Sequence, residues 1–360
     1  MSSVLDLVRP DLRAFAGYAS ARREKASGHI WLNANESPWT SSADTGLGLN
    51  RYPEPQPKAL RARMAELYGI PAERLLVTRG SDEGIDLLVR AFCRAGIDGV
   101  LIAPPCFGMY AVCARVQNAP LVEVPLVDDD RDGFSLDLTA VEDMVAHGDV
   151  RVIFLCSPAN PTGQALSIKD IRRLARSVGG KAVLVIDEAY VEFSSQGSAR
   201  PLLDEFPHLV LLRTLSKAYA MAGARIGAVL ADPEVVGVLR SVAAPYSVAA
   251  PSASLAKDAL SDEARAEAGK RIALTIRERD SLVKKLGGVP GLTRIYPSQG
   301  NFLLVRFADA DAALARLLAA GVVVRDMRAM PQLGDALRIS VGAPEENQAM
   351  IDALRGGGAS

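Results

Sequence analysis

Two side chains that could act together in catalysis follow separate apolar runs of this sequence. Asp187 comes directly after the run 182–186, and Lys217 comes shortly after the run 209–213. Ligands of open α/β sheets bind at the carboxyl ends of the strands, so we expect both side chains at one sheet edge. A buried carboxylate needs a partner, which is either an arginine, a helix N-terminus or a cationic ring nitrogen. Lys217 is either a solvated loop residue or an amine that serves a bound ligand.

Pyridoxal phosphate is a cofactor whose chemistry needs these residue types. A lysine holds its aldehyde as a Schiff base and then moves a proton, and an acid keeps its pyridinium nitrogen protonated. Lys217 and Asp187 fit these two roles. Tyr190 can reach the ring 3-oxygen, and Asn160, which follows another strand, is a second donor to that oxygen. Asn160 precedes a proline, and this pair is also typical of a simple turn.

The segment 78–84 joins a strand to a helix and could hold a phosphate group. Backbone N–H groups at a helix N-terminus attract anions, helped by the helix dipole. The residues at this point are Gly80, Ser81 and Asp82, and the alternative is an ordinary helix cap made by Ser81 or Asp82. Ser216 and Arg225 stand on either side of Lys217, and their hydroxyl and cation favour the phosphate interpretation.

The elements that must position these residues indicate an α/β protein with a mainly parallel sheet. Short apolar runs without alternation are typical of strands buried on both faces, and helical spacing separates several of them. Strands are expected at 75–78, 99–103, 121–124, 152–156, 182–186, 209–213 and 225–230.

The alternation of strands and helices changes near residue 232, where a smaller α+β unit begins. A long helix is expected at 263–286, followed by strands at 302–307, 322–325 and 337–341. We therefore divide the chain into three parts: an N-terminal arm (1–45) that packs with the small domain, a large cofactor domain (46–240) and a small C-terminal domain (241–360).

Composition excludes several classes of protein. The 41 Lys and Arg residues balance 42 Asp and Glu residues, so there is no excess cation for a nucleic-acid backbone or a membrane surface. We also expect no membrane span, because no apolar run approaches about 18 residues, and no signal peptide, because Asp6 and Asp11 interrupt the apolar start of the chain. The four cysteines form no C-x-x-C pair and the three histidines are scattered, which predicts reduced thiols, a cytoplasmic protein and no metal site.

Over nearly its whole length the sequence resembles the fold-type I aminotransferases, which use pyridoxal phosphate. The motifs that carry this resemblance are residues 80–82, 157–163, 187–190 and 216–217, together with Arg225. A narrower set, residues 18–23, 31–36, 51–57, 104–110 and 324–326, resembles the histidinol-phosphate aminotransferase family. The resemblance implies a large domain with a mainly parallel sheet, a smaller α+β domain, and ping-pong amino transfer between histidinol phosphate and 2-oxoglutarate.

The resemblance also assigns roles to further positions. Phe107 would stack on the pyridine ring. Tyr52 would reach the cofactor phosphate of the neighbouring subunit, which implies a homodimer with shared active sites.

The substrate-binding residues that the resemblance implies are Tyr18, Asn35, Arg325 and Arg338. A guanidinium suits both anions of the reaction, because its fork of donors matches a phosphate or a carboxylate. The alternatives are a strand-end ion pair for Arg325 and simple packing of the arm for Tyr18.

Other functions compete with this interpretation. An aminotransferase for aromatic amino acids and a threonine-phosphate decarboxylase share the fold, although the stretch 18–23 favours a phosphate-bearing substrate. A regulator that binds pyridoxal phosphate would need a DNA-binding region, which we do not expect before Tyr18. A dinucleotide oxidoreductase would need G-x-G-x-x-G after the first strand, and that motif is absent from the sequence.

Overall fold

The computed structural model describes residues 3–18 and 29–356. Its helices are α1 Lys58–Tyr68, α2 Gly80–Phe92, α3 Met109–Val116, α4 Leu138–His147, α5 Ile168–Val178, α6 Pro233–Val242, α7 Ala250–Asp258, α8 Asp262–Leu286, α9 Ala310–Ala319 and α10 Pro344–Arg355. Its strands are β1 Leu75–Thr78, β2 Gly99–Ile102, β3 Leu121–Glu123, β4 Val127–Asp129, β5 Gly133–Ser135, β6 Val150–Cys156, β7 Val183–Asp187, β8 Leu209–Thr214, β9 Gly227–Leu230, β10 Leu292–Ile295, β11 Phe302–Phe307, β12 Arg325–Asp326 and β13 Ala336–Ser340.

The large unit contains a seven-stranded sheet in the order β1-β9-β8-β7-β6-β2-β3. β9 pairs antiparallel with both β1 and β8, whereas β8, β7, β6, β2 and β3 pair in parallel. The predicted α/β architecture with a mainly parallel sheet is therefore confirmed. The parallel strands direct their carboxyl ends to one edge, where the predicted chemistry was expected.

Both faces of the central strands of this sheet are buried, which explains why these strands are mainly apolar. Along β7, Leu184 and Ile186 join the core that contains α1 and α5, while Val183 and Val185 join the core that contains α2 and α6. Successive side chains of a strand point to opposite faces, so a strand covered on both sides needs an uninterrupted apolar run.

The small unit has its own sheet and core. Its four antiparallel strands lie in the order β10-β11-β13-β12, and they pack with α8, α9 and α10. Helix α8 begins after Ser261, whose hydroxyl accepts a hydrogen bond from the backbone N–H of Ala264. The predicted strand 322–325 is reduced to a two-residue pairing, Arg325–Asp326 against β13. Among the described helices, none is long and apolar enough to cross a bilayer.

The described start of the arm packs on the large unit, so the prediction that it packs with the small domain is wrong for these residues. Val4, Leu7 and Val8 are buried in the core that α2 and α6 share. The Arg9 backbone N–H donates to the Ala91 carbonyl at 3.1 Å. These apolar side chains cover the outer side of α2 and α6, whose apolar residues would otherwise be exposed to solvent.

The large unit also continues beyond the predicted limit at residue 240. Val248, Ala256 and Leu260 belong to the same core as α1. Their packing places α7 with the large sheet, and we propose that the small domain begins at α8.

Candidate active site

The carboxyl edge of the large sheet opens into a cavity of about 710 Å³. The predicted site residues that line it are Ser81, Asp82, Phe107, Asn160, Asp187, Tyr190, Ser216, Lys217, Arg225, Arg325 and Arg338. They come from both units, because the two last-named arginines belong to the small unit. Residues distant in sequence therefore meet in one site, as the positions of the strand ends predicted.

Asp187 is the last residue of β7, and it is 2% exposed. Its Oδ2 accepts a hydrogen bond from the Tyr110 hydroxyl at 2.9 Å, and its Oδ1 accepts one from the Ala189 backbone N–H at 3.1 Å. Burial raises the pKa of this carboxyl to about 6, although both hydrogen bonds favour the ionised form. Such a carboxylate is stabilised further by any cationic group that enters the cavity.

Lys217 extends into the same cavity from the loop after β8. Its Nζ lies 5.7 Å from the centre of the Tyr190 ring, which itself packs edge-on against Phe302. Burial lowers the pKa of Lys217, and the positive charge of Arg338 acts in the same direction. These surroundings favour a neutral amine, the form that can act as a nucleophile or a base.

The N-terminus of α2 offers its backbone N–H groups to the cavity. The capping position is Arg79, and no side chain caps it, so the alternative of a cap made by Ser81 or Asp82 is wrong. The Asp82 carboxylate instead accepts a hydrogen bond from Arg225 Nη2 at 3.0 Å. Arg225 Nη1 lies 3.4 Å from the Ser216 hydroxyl. Free backbone N–H donors at a helix start, a hydroxyl and a guanidinium are groups that can hold an anion.

Two glycines allow this close approach. A Cβ at Gly80 would lie 2.5 Å from Arg225 Nη2, and a Cβ at Gly227 would lie 2.5 Å from the Gly80 carbonyl carbon. Arg225 itself has a φ of 57° and lies outside β9, although the sequence placed it in that strand. The left-handed backbone at Arg225 ends the loop and turns its side chain toward α2.

Arg338 and Asn160 connect the two units across the cavity. Arg338 Nη1 donates to the Asn160 Oδ1, and the guanidinium carbon lies 5.4 Å from the centre of the Phe302 ring. Arg325 is directly opposite Arg338 in the pairing of β12 with β13. Arg325 is exposed to the cavity, and the two arginines form a cationic wall on the small unit.

Besides Gly80, which lies at the start of α2, three predicted residues do not line this cavity. Tyr18 is 64% exposed, and the rest of its motif, 19–23, lies outside the described residues. Asn35 is exposed and has a φ of 55°. Tyr52 is 51% exposed and stacks on Tyr246, with ring centres 4.5 Å apart.

Sequence reasoning missed the roles of Tyr110 and Gly227 at this site. Tyr110 lies within the motif 104–110, but only the fold brings its hydroxyl to Asp187. Gly227 follows Arg225 by two residues, and a glycine beside a predicted anion site could have suggested a close backbone approach.

The donor set fits pyridoxal phosphate. An uncapped helix start with a hydroxyl and a guanidinium suits the phosphate, a buried carboxylate suits a pyridinium nitrogen, and a neutral amine suits an aldehyde. Among the described residues, no three His, Cys, Asp or Glu side chains are grouped so that they could hold a metal ion.

Comparison with known proteins gives similarity over nearly the whole chain. The sequence profile described as "Aminotransferase class I and II" matches residues 22–354. A histidinol-phosphate aminotransferase of Stenotrophomonas maltophilia (strain R551-3) is 55% identical over 354 residues, which are 98% of this chain and 97% of that protein.

Solved structures of enzymes that catalyse different reactions share the fold of this chain. The histidinol-phosphate aminotransferase from Sinorhizobium meliloti in complex with pyridoxal-5'-phosphate has a TM-score of 0.74 at 24% identity, covering 86% of this chain and 83% of that one. The L-threonine-O-3-phosphate decarboxylase from Porphyromonas gingivalis has a TM-score of 0.72 at 26% identity, covering 86% and 90%. Fold similarity therefore does not separate amino transfer from decarboxylation.

Proposed function

The chain belongs to the aminotransferase class I and II family and, within it, to the histidinol-phosphate aminotransferases, and we propose that it passes an amino group from histidinol phosphate to 2-oxoglutarate in histidine biosynthesis. The supporting observation is that one cavity joins Lys217 and Asp187 to the cationic wall of Arg325 and Arg338. The reaction must hold a phosphate in one half and a dicarboxylate in the other. Guanidinium groups bind both kinds of anion in bidentate fashion.

Pyridoxal phosphate is the cofactor, and when bound it supplies an electron sink for the carbon that loses its proton. Lys217 would hold it covalently through Nζ, and the Asp187 carboxylate would contact its ring nitrogen. Phe107 would stack on the ring. The 3-oxygen would be contacted by Asn160 and Tyr190, and the phosphate by Gly80, Ser81, Asp82, Ser216 and Arg225. Within that last group Asp82 acts by orienting Arg225, as their ion pair suggests.

Lys217 is also the base that we assign to proton transfer. Its surroundings lower its pKa, so a larger fraction of the amine is neutral near neutral pH than for an exposed lysine. When the substrate amine has displaced Nζ from the cofactor aldehyde, the freed neutral Nζ would take the proton from the α-carbon of the bound substrate. The cationic wall holds the far end of that substrate, which keeps the α-carbon within reach of Nζ.

The arm residues Tyr18 and Asn35 are proposed to contact the substrate from the outer side of the cavity. Both are exposed, so a side chain or a bound anion can approach them. Their substitution should alter the KM for histidinol phosphate more than cofactor affinity.

We further propose a homodimer in which Tyr52 reaches the cofactor phosphate of the second copy. Tyr52 is half exposed, and its backbone N–H donates to Glu36 of the arm, which also has exposed apolar side chains, including Leu32 at 87% and Trp39 at 79%. Such an apolar surface favours burial against a partner. A mixed dimer of Lys217→Ala and Tyr52→Ala subunits tests this, because one of its two sites would regain both side chains and activity.

We place the enzyme in the cytoplasm, because all four cysteines are free thiols, two of them buried in a core of the large sheet and two packed against that core. Fractionation of the source cells tests this location.

The reaction is tested with purified enzyme, histidinol phosphate and 2-oxoglutarate, with glutamate as the readout. Phenylalanine and tyrosine replace the donor in parallel reactions, and threonine phosphate without an acceptor tests for CO₂ release. Glutamate formation fastest with histidinol phosphate is expected. CO₂ release without glutamate would identify a decarboxylase, and preference for the aromatic donors would identify the other alternative.

A further inference from the structure

Tyr110 is a fully buried tyrosine that is hydrogen-bonded to Asp187 in the cavity wall. Its hydroxyl donates to Oδ2 at 2.9 Å, while the backbone N–H of Ala189 donates to Oδ1. Each carboxylate oxygen therefore receives one hydrogen bond from the protein. Two donors on different elements, α3 and the loop after β7, fix the plane of the carboxylate.

Two aromatic contacts hold the Tyr110 ring in this place. It stacks on Phe154 of β6, with ring centres 5.0 Å apart and planes within 2°, and it meets Phe107 edge-on at 5.7 Å. Phe107 lines the cavity, so the same ring that orients Asp187 also supports the wall that would face the cofactor. A ring held on both sides cannot withdraw its hydroxyl from Asp187 without disturbing β6 or Phe107.

We propose that Tyr110 is a positioning residue of this enzyme, which orients the Asp187 carboxylate and holds it in the ionised form while its ring supports Phe107. The proposal rests on the proposed function of Asp187 as the partner of the cofactor's ring nitrogen. Tyr110 does not line the cavity itself and would act only through these two neighbours.

The charges around Asp187 explain why a neutral donor is needed there. Burial works against the carboxylate, and the negative charge of Asp82 adds to this effect. The Lys217 amine favours the carboxylate, but only weakly and only when it is protonated. The Cys156 thiol on β6 and the Tyr190 hydroxyl have pKa values raised by burial, so both stay neutral.

The pKa of Tyr110 is raised by its own burial, so its hydroxyl remains a donor over the working pH range. A hydrogen bond to the ionised carboxyl favours that form over the protonated one. Loss of the hydroxyl should therefore raise the pH at which Asp187 ionises and weaken its hold on a cationic ring nitrogen.

The test is Tyr110→Phe in the holoenzyme, which removes one oxygen and keeps the ring. The visible absorbance of the bound cofactor is titrated with pH, the dissociation constant for pyridoxal phosphate is measured, and kcat and KM are determined. We expect the titration midpoint to shift from its wild-type value. Cofactor affinity and kcat should each fall about tenfold, which is the effect of losing one hydrogen bond to a charged group, and KM should stay unchanged within about threefold. An unchanged titration with unchanged kcat would overturn the proposal and leave Tyr110 a packing residue.

Tyr68→Phe is the matched control. Tyr68 is also a buried tyrosine, and its hydroxyl has no hydrogen-bond partner among the described residues. Its ring packs against the Arg213 guanidinium at 4.5 Å and does not line the cavity. It should leave the titration and kcat at wild-type values, and comparison of the two melting temperatures separates a folding effect from a positioning effect.

A second measurement places the effect on Asp187. In an Asp187→Asn background, Tyr110→Phe should cause no further change in the titration, because the group that it acts on is absent. A full effect in that background would contradict the proposal. The titration does not depend on which amine is the substrate, so failure of histidinol phosphate as a donor would count against the proposed reaction alone.

Discussion

Arg338 donates a hydrogen bond from Nη1 to the Oδ1 of Asn160, which connects β13 of the small unit to the loop after β6. With its Oδ1 engaged, Asn160 can present its Nδ2 to the cavity as a donor. The contact therefore joins the residue proposed to grip the substrate with one proposed to hold the cofactor's 3-oxygen. A substitution at either position should affect both functions.

Replacement of Arg338 by alanine should weaken both half-reactions. The lost guanidinium is one of two on the cationic wall, and a hydrogen bond to a charged group contributes about 1.5–3 kcal/mol, so kcat/KM should fall roughly ten- to hundredfold. Single-turnover rates with histidinol phosphate and with glutamate measure the two halves separately. The matched control is Arg328→Ala, because Arg328 pairs with Asp326 and Asp311 away from the cavity. A loss confined to the glutamate half would mean that another residue holds the phosphate.

Lys217→Ala should abolish both turnover and covalent attachment of the cofactor. No other lysine lines the cavity within the described part of the chain, so no amine can replace Nζ. Mass spectrometry after borohydride treatment should show the cofactor fixed to wild-type protein and absent from the variant. Lys257→Ala serves as the control, since Lys257 lies on the surface beside Asp258. Cofactor still fixed to the Lys217→Ala protein would place the attachment elsewhere.

Asp187 should make the cofactor-free protein less stable as the pH rises. Its pKa is about 6 in the folded chain against an ordinary 3.8, so the folded state binds this proton more tightly than the unfolded state. The free energy of unfolding should therefore fall as the pH rises from about 4 to about 6, by about 3 kcal/mol at most. Urea denaturation across this range measures it, with Asp187→Asn as the variant that lacks this fall. Bound cofactor should suppress it if its ring nitrogen neutralises the carboxylate.

The site could be predicted from the sequence where a functional side chain follows a buried strand. Asp187, Asn160 and Lys217 meet in the cavity because the carboxyl ends of parallel strands share one edge of the sheet. The apolar runs that precede these residues already indicate where the buried strands end. The left-handed backbone of Arg225 could not be read in this way, because it depends on where α2 lies. The hydrogen bond from Tyr110 to Asp187 was hidden for the same reason, since 77 positions separate the two residues.

The packing of the arm escaped prediction for a related reason. Val4, Leu7 and Val8 form a short apolar pattern that could pack on either unit. They pack on the outer side of α2 and α6 because the fold leaves that surface uncovered. Local pattern indicates that a segment is buried, but its partner depends on which surface the rest of the fold leaves uncovered.

Gly227→Ala should weaken cofactor binding although Gly227 does not line the cavity. An added Cβ would lie 2.5 Å from the Gly80 carbonyl carbon and 2.6 Å from the Ser81 backbone nitrogen, so the start of α2 must move. Such overpacking costs about 1–3 kcal/mol, and the dissociation constant for pyridoxal phosphate should rise about tenfold. Gly237→Ala is the matched control, because a Cβ there meets no atom within 4 Å. Equal cofactor affinities for the two variants would show that the phosphate-binding residues at the start of α2 tolerate this movement.

One carboxylate of the large unit receives hydrogen bonds from three side chains of the small unit. Asp128, in the hairpin that β4 and β5 form, accepts hydrogen bonds from Arg294 at 3.0 Å, from the Tyr296 hydroxyl at 2.6 Å and from Arg306 at 3.1 Å. All three donors belong to the small unit, which also carries the cationic wall of the active site.

Asp128→Ala should therefore raise KM while changing kcat little. The variant leaves Arg294 and Arg306 without this carboxylate, so the small unit loses one of the contacts that hold it against the large unit, while the proposed catalytic groups of the large unit keep their positions. Because the Asp128 side chain is partly exposed, the loss of stability should stay near 1–3 kcal/mol. Steady-state kinetics with both substrates and thermal unfolding measure the two effects. Asp130→Ala, in the same hairpin, removes a fully exposed carboxylate that lies 3.8 Å from Arg294, and it should change both little because exposed ion pairs contribute little. If Asp128→Ala lowered kcat at unchanged KM, the hairpin would act on the chemistry rather than on the orientation of the small unit.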